Sequence, residues 1–168
     1  FSGGVEWNSS IIGHNPFTCS PLFAARTLLA DGTPVLRMYE YERLRGVSFQ
    51  MDFFLPDGSR VLFARMRLVL ENAQSVPTSW WSTIAVPEWR GGRVVVPADA
   101  AYVARDGVIF KDSVPVDRGG DDVTYPVNNP KAVDHFWKIA PERRKYIAHL
   151  NADGWGLVQA STHRQRGR

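Results

Sequence analysis

Val47-Ser48-Phe49-Gln50-Met51-Asp52-Phe53 alternates apolar and polar side chains without a break. Successive side chains of an extended chain leave opposite faces, so this stretch reads as a strand with one buried face. Just beyond it, Pro56-Asp57-Gly58-Ser59 closes a turn, with Asp-Gly supplying the positive-φ positions of a tight hairpin. The return strand carries Leu62, Ala64, Met66, Leu68 and Leu70 on one face and Val61, Phe63, Arg65, Arg67 and Val69 on the other. The same device recurs outward from this hairpin. Asp31-Gly32 separates Phe23–Ala30 from Val35–Arg43, Asp106-Gly107 joins Ala100–Arg105 to Val108–Phe110, and Asp153-Gly154 joins Tyr146–Leu150 to Trp155–Thr162. Repeated strand, Asp-Gly, strand units predict an all-β protein, an antiparallel twisted β-sandwich. No long helical period competes, and helix is confined to short turns such as Asn129–Asp134. Asp112–Asn129, rich in Gly, Pro, Asp and Asn, reads as a long loop around a short strand at Val123–Tyr125. There is no solenoid repeat, no low-complexity tract and no composition break, so residues 1–168 read as a single β-sandwich domain.

Composition narrows the function classes. A 44% hydrophobic and 22% charged chain of 168 residues can bury a core as an ordinary globular domain does. The net charge of +3 is unevenly spread, with clusters at Arg143-Arg144-Lys145 and at Arg164, Arg166 and Arg168. Nucleic-acid binding would require a basic stripe on a recognisable module, and none is present. No apolar run reaches the roughly 18 residues of a membrane span, so neither nucleic acid nor membrane is expected as a partner. Cys19 is the single cysteine, which excludes an intrachain disulfide and fits a reducing, cytoplasmic setting. The chain opens at Phe1 without Met and still reads as extended near Arg168, the pattern of a segment excised from a longer protein.

A second stretch bears on function. Trp80-Trp81-Ser82-Thr83-Ile84-Ala85-Val86-Pro87-Glu88 places two tryptophans side by side in an extended segment, shortly before Arg93-Val94-Val95-Val96-Pro97. Their indoles must leave opposite faces of a sheet. One can enter the core, and the other needs a second layer, a partner or a ligand. Indole faces with nearby carboxylates and amides suit the C–H faces and hydroxyls of a sugar, because small-molecule sites combine apolar walls with a few placed polar groups.

The candidate side chains follow from that chemistry. Glu6, Trp7 and Asn8 come after two glycines, which let backbone approach a ligand closely; the alternative is a glycine turn leading Trp7 into the core. His14 lies in the turn Ile12-Gly13-His14-Asn15-Pro16 and can shuttle a proton near neutral pH, or be a plain exposed loop residue. Glu88 and Arg90 flank Trp89 where Pro87 ends a strand; Arg90 can clamp a hydroxyl-rich or anionic ligand, or simply pair with Glu88 on the surface. His135, between Asp134 and the aromatics Phe136 and Trp137, can protonate a sugar ring oxygen, or be a surface histidine after a loop. The catalytic candidates are therefore His135, Glu6 and Glu88, and the ligand-binding candidates Trp7, Asn8, His14, Trp80, Trp81, Trp89 and Arg90. His149 and His163 have no distinguishing context. Asp117, Asp121, Asp122 and Asn128 offer oxygens to calcium, but without EF-hand spacing they read as a solvated loop. One Cys and four scattered His do not form a zinc pattern. Neither a serine elbow nor a phosphate-binding glycine motif occurs, so no metal or cofactor is expected.

Ser2-Gly3-Gly4-Val5-Glu6-Trp7-Asn8, Gly13-His14, Thr18-Cys19-Ser20-Pro21, Trp80 through Glu88, and Gly156-Leu157-Val158-Gln159-Ala160-Ser161-Thr162 together resemble the galactose mutarotase-like (aldose 1-epimerase-like) superfamily. Within it they are most similar to an uncharacterised bacterial branch often fused to tetratricopeptide repeats. The resemblance covers most of the chain. It implies a large twisted β-sandwich with a concave sugar-binding face, a carbohydrate ligand, and the rest of a parent chain as a partner. A second likeness is to the epimerases themselves. Asp134-His135-Phe136 is similar to their Asp-His-x-Phe-like element and Gln159-Ala160-Ser161-Thr162 to their Gln-x-x-Thr-like strand end. Trp81-Ser82-Thr83-Ile84 stands where those enzymes carry a histidine-bearing strand and lacks the histidine; their glutamate base would fall beyond Arg168.

Three readings follow. The leading expectation is a carbohydrate-binding domain, with Trp7, Trp80 or Trp81, and Trp89 as stacking walls. The second is an epimerase or glycoside-processing enzyme, the latter requiring carboxylates about 5–9.5 Å apart, for which Glu6 and Glu88 are the candidates. The third is a non-catalytic docking module whose exposed aromatics are covered by a neighbouring domain.

Overall fold

The computed structural model describes residues 4–10, 14, 18–71, 75–77, 79–129 and 131–162, with only the backbone of Ser10 and Ser79. Ser2, Gly3 and Gly13 of the motifs above, His163, and the basic residues Arg164, Arg166 and Arg168 lie outside them. The described chain is all-β, its strands paired antiparallel in four sheets. Its contacts gather into two compact units, Phe1–Ala85 and Val86–Arg168.

The first unit holds β1 (Val5–Ser10), β2 (Phe23–Leu28), β3 (Pro34–Glu42), β4 (Val47–Phe54), β5 (Phe63–Leu70) and β6 (Ser79–Ile84). β2-β3-β4-β5 form a meander, while β1 pairs with β6. The turns fall where Asp-Gly demanded them: Gly32 has φ 88° and Gly58 φ 74°, values open to glycine and strained for other residues. Register then sets the faces. Met38 lies opposite Met51, and Met51 opposite Met66, on the side that also carries Val47, Phe49 and Phe53. Val47, Phe49 and Met51 are buried, each side chain contributing about 1.5–3 kcal/mol of transfer free energy. Trp7 of β1 packs edge-on against Phe53 at 4.8 Å. Arg45 donates from Nη2 to the Ser9 carbonyl at 3.0 Å. These two contacts hold the β1–β6 ribbon over the apolar side of the meander, giving the unit two layers.

The anchor at that join is Glu42, which is 1% exposed. Its Oε1 accepts from the Leu44 amide at 2.5 Å, and its Oε2 accepts from the Arg45 amide at 3.1 Å and from Arg45 Nε at 2.6 Å. A buried carboxylate is tolerable when hydrogen bonds replace its hydration, and here they also aim Arg45 at β1.

The second unit holds β7 (Arg93–Val95), β8 (Ala98–Arg105), β9 (Val108–Ser113), β10 (His135–Ile139), β11 (Lys145–Leu150) and β12 (Gly156–Ser161), in two sheets ordered β10-β8-β9 and β12-β11-β7. Asp106 (φ 51°) and Gly107 (φ 78°) make the positive-φ pair of a hairpin turn between β8 and β9. Ala100, Ala101, Val103, Val123 and Ala148 are its buried apolar residues.

Two local elements differ from the sequence expectation. Asp112 and Ser113 still belong to β9; Val123–Tyr125 is not a strand, Val123 being buried while its amide bonds the Pro115 carbonyl, and a Val116–Asp122 bridge closes the stretch that follows β9. The short helical turn falls at Pro126–Asn128, upstream of Asn129–Asp134. Pro126 suits a first helical position, and the Asp122 carbonyl accepts from the Tyr125 amide and from Asn128 Nδ2, winding the chain before residue 129. Among the described residues no helix is long and apolar enough to cross a membrane.

Candidate functional site

The β1–β6 ribbon sorts its side chains by register. Glu6 lies opposite Thr83 and Asn8 opposite Trp81 on one face; Trp7 opposite Ser82 and Ser9 opposite Trp80 occupy the other. Trp80 and Trp81 therefore diverge, as strand alternation requires, and each is 42% exposed. Trp7 and Trp80 share the face turned to the meander, where Trp7 meets Phe53.

On the opposite face a polar cluster forms. Glu6 and Asn8 are buried. His14 reaches over them, its Nδ1 2.6 Å from Glu6 Oε1, and its ring stands edge-on to Trp81 at 5.6 Å. Thr18 donates from Oγ1 to Asn8 Oδ1 at 3.1 Å and approaches Glu6 Oε1 at 3.4 Å. The His14 hydrogen bond holds the Glu6 carboxyl below the ordinary glutamate range; burial opposes it and Asn8 reinforces it. Glu6 Oε2 is buried without a partner of good hydrogen-bond geometry among the described residues. A carboxylate on Nδ1 orients an imidazole and leaves Nε2 as its working nitrogen. Four of the expected residues, Glu6, Asn8, His14 and Trp81, thus come together, and Thr18 joins them.

The remaining candidates sit elsewhere. Glu88 and Arg90 are exposed, and the surface ion pair between them does not form. Trp89 stacks on His149 at 5.1 Å and 16°, and the turn that follows brings Gly92 against the same imidazole, where a Cβ would stand 2.9 Å from Nε2. His149 is 9% exposed, and neither of its ring nitrogens has a hydrogen-bond partner among the described residues. Sequence reasoning passed over it; the clue was a β11 histidine facing the Gly91-Gly92 turn that carries Trp89. His135 stacks on Trp137, two residues along the same strand face, at 5.3 Å and 14°. Burial pushes the His135 pKa down from its usual value, against a hydrogen bond involving the Val133 backbone. No hydrogen bond, ion pair or ring contact among the described residues joins His135 to Glu88. Glu6 belongs to the first unit, and Glu88 and His135 to the second.

In the Asp112–Asn129 stretch Asp112, Asp117 and Asp122 bond backbone amides and pair with Arg118, Arg105 and Arg93. Asp117 Oδ1 accepts from the Gly119 and Asp121 amides, and Asp112 Oδ1 from those of Ser113 and Arg118.

A second cluster, absent from the sequence reading, lies on the outer face of the meander. Arg37, Asp52 and Arg65 are directly opposite one another on β3, β4 and β5. Asp52 is fully buried. It accepts from Arg37 Nε at 2.7 Å and Nη2 at 3.0 Å, from Arg65 Nη2 at 2.7 Å, and from Gln50 Nε2 at 3.1 Å on both oxygens. The Arg37 bonds foremost, with Arg65 adding to them against burial, push its pKa down to about 2. Beside this row runs an open groove of about 590 Å³ lined by Phe23, Arg37, Tyr39, Tyr41, Gln50 and Val69, among others. A symmetric count from the Asp57-Gly58 turn would set Asp52 opposite Phe63; the observed register is centred one residue later and sets it opposite Arg65, so the sequence alone did not reveal the row.

No protein-family model, curated protein or solved structure matches the chain.

Proposed function

We propose that the first unit is a carbohydrate-binding module of the galactose mutarotase-like kind, that His14 and Trp81 meet the sugar, and that the buried Glu6 and Asn8 hold that face in place. The observation that carries this reading is the convergence of residues from β1, β6 and the intervening turns on one face, with His14 Nδ1 2.6 Å from Glu6 and the His14 ring against Trp81. The cluster offers what a sugar needs: an imidazole oriented by a carboxylate to bond a hydroxyl, and an indole for a C–H face. The motif resemblance supports the same reading, and the lone, exposed Cys19 is compatible with a reducing compartment. The test titrates the full chain with neutral and acidic mono- and oligosaccharides while following tryptophan fluorescence. Saturable quenching that Trp81→Ala removes and Glu6→Gln weakens is expected. No response to any saccharide ends the proposal.

The Glu6–His14 bond favours a second reading, proton transfer at a sugar's anomeric centre. The hydrogen-bonded cluster contains one carboxylate, which suits an epimerase better than a glycosidase needing two. Polarimetry of freshly dissolved aldoses with the full chain separates the readings. Accelerated anomer exchange lost in His14→Ala supports catalysis, and an unchanged rate with retained binding leaves recognition alone.

A further inference from the structure

We infer that the outer face of the β2–β5 meander is a second binding surface, and that its ligand is an acidic saccharide whose carboxylate or sulfate sits on Arg37. Asp52 organises this face. Arg37, Arg65 and Gln50 donate five hydrogen bonds to it, and a carboxylate has about four lone-pair sites. Its acceptor capacity is used up, and it is sealed from water. What it does is fix two guanidinium groups that remain accessible, their side chains 34% and 53% exposed. Arg37 spends Nε and Nη2 on Asp52 and makes no bond through Nη1 among the described residues. A guanidinium fork held at one edge offers its other N–H groups to a second oxyanion.

The local charge at Arg37 favours an anion. Register places Arg37, Arg65 and Arg67 on this face. Asp52 offsets one of them, and Glu71, which accepts from Ser48 Oγ at the rim, a second. Glu40 also lines the groove, although it alternates to the other side of β3 and its carboxylate accepts from the Tyr41 amide; the place for an oxyanion is therefore set by the free edge of the Arg37 fork and not by a surplus of net charge. The ring comes from the aromatics. Phe23 and Tyr39 stack on each other at 5.5 Å and 25° on the floor of the groove, are 60% and 41% exposed, and pack no core. Flat aromatic faces beside a planar cation suit a pyranose bearing an acid better than an extended acidic peptide. The inference rests on the carbohydrate reading for the kind of ring, not for the place or the charge.

The experiment uses the full chain and calorimetric titration with oligogalacturonate, sulfated oligosaccharide, the methyl-esterified oligogalacturonate as a charge-free match, polyglutamate and inorganic sulfate. At least one acidic oligosaccharide is expected to bind, the methyl ester at least tenfold more weakly. Tyr39→Ala and Arg67→Gln, which touch neither Asp52 nor the core, are expected to weaken binding at least fivefold, and Arg37→Gln tenfold. Equal binding of ester and acid overturns the inference and leaves the carbohydrate reading standing. So does a loss in Trp81→Ala with none in Tyr39→Ala, which moves the sugar to the Glu6 face. Polyglutamate or sulfate binding as tightly as the saccharides overturns the ring assignment. Neutral sugars binding while every acidic one fails removes this inference alone, and failure of all saccharides removes both.

Discussion

Asp52→Asn is the most informative single change in the first unit. Asp52 is fully buried, and its pKa lies at about 2 against an ordinary 3.8. The fall from 3.8 to about 2, at about 1.4 kcal/mol for each tenfold change in acidity, gives about 2–3 kcal/mol of stability from ionising this group. The sign follows from the direction. A depressed folded-state pKa means the contribution is complete above 3.8 and disappears as pH falls from there through about 2. An exposed ion pair would be worth at most about 1 kcal/mol. Stripping a partner from a charge that stays buried would cost about 3–5 kcal/mol. Asparagine removes the buried charge itself, and Arg37 and Arg65 are exposed enough to rehydrate, so the intermediate figure applies. The chain's three methionines, Met38, Met51 and Met66, lie side by side on β3, β4 and β5. Their ¹³C-methyl NMR signals during urea unfolding therefore report this unit alone. Wild-type stability should exceed that of the variant by about 2–3 kcal/mol at pH 7, and the gap should close toward pH 2. Glu6, Asp31 and Glu42 also carry lowered pKa values, but they are common to both proteins and cancel in the difference. Stability-versus-pH curves that run parallel would refute the argument.

Glu42→Gln should cost about 2–3 kcal/mol in the same methyl-detected urea titration, because it weakens three charge-assisted bonds and frees Arg45 from Ser9. His14→Ala should raise the Glu6 carboxyl pKa toward its ordinary value, as read by ¹³C NMR of labelled glutamate; an unmoved titration would place the depression elsewhere. In the second unit, Gly107→Ala should cost about 1 kcal/mol by chemical denaturation, since its φ of 78° is strained for alanine although its surroundings are open. Gly156→Ala should cost more, about 3 kcal/mol or above, because a Cβ there would overlap the His149 carbonyl across the β11–β12 ladder. Equal losses at the two glycines would mean that backbone crowding is not what holds Gly156.

Most of the ladder was legible because one rule, alternation ended by Asp-Gly, governs it. Phe23–Leu28, Pro34–Glu42, Val47–Phe54 and Phe63–Leu70 fall within two residues of the stretches read from apolar period and turn chemistry. Those signals are local; they place the strands, while the register follows directly from the turn only at Asp106-Gly107, the β4–β5 connection running from Leu55 to Leu62. The Asp112–Asn129 loop was less readable for the opposite reason. Val123 is buried by contacts with distant backbone, Pro115 for Val123 itself and β7 for Thr124, and no periodicity announces a hydrogen bond from Val94 to Thr124. The pairing of β1 with β6 was hidden in the same way, since some seventy residues of meander separate the two strands.

The candidate sites divide along the same line. Trp80 and Trp81 had to diverge because adjacent strand residues do, but nothing local says which indole meets Asn8. Only the β1–β6 register decides it, by setting Asn8 opposite Trp81. His14 shows the limit of judging residues singly. As a lone turn histidine it looks exposed and ordinary, yet a carboxylate two elements of chain geometry away takes its Nδ1 and gives it direction. Asp52 makes the converse point. Within β4 it reads as one more polar residue on the solvent side of an alternating strand, and an acidic side chain there should be wet. Two hairpin registers stack Arg37 and Arg65 on either flank, and the charge that alternation assigns to water ends up sealed beneath them. A polar position in a strand therefore identifies a face, while the residues directly across the ladder decide whether that face is bare surface or a preorganised row of cations.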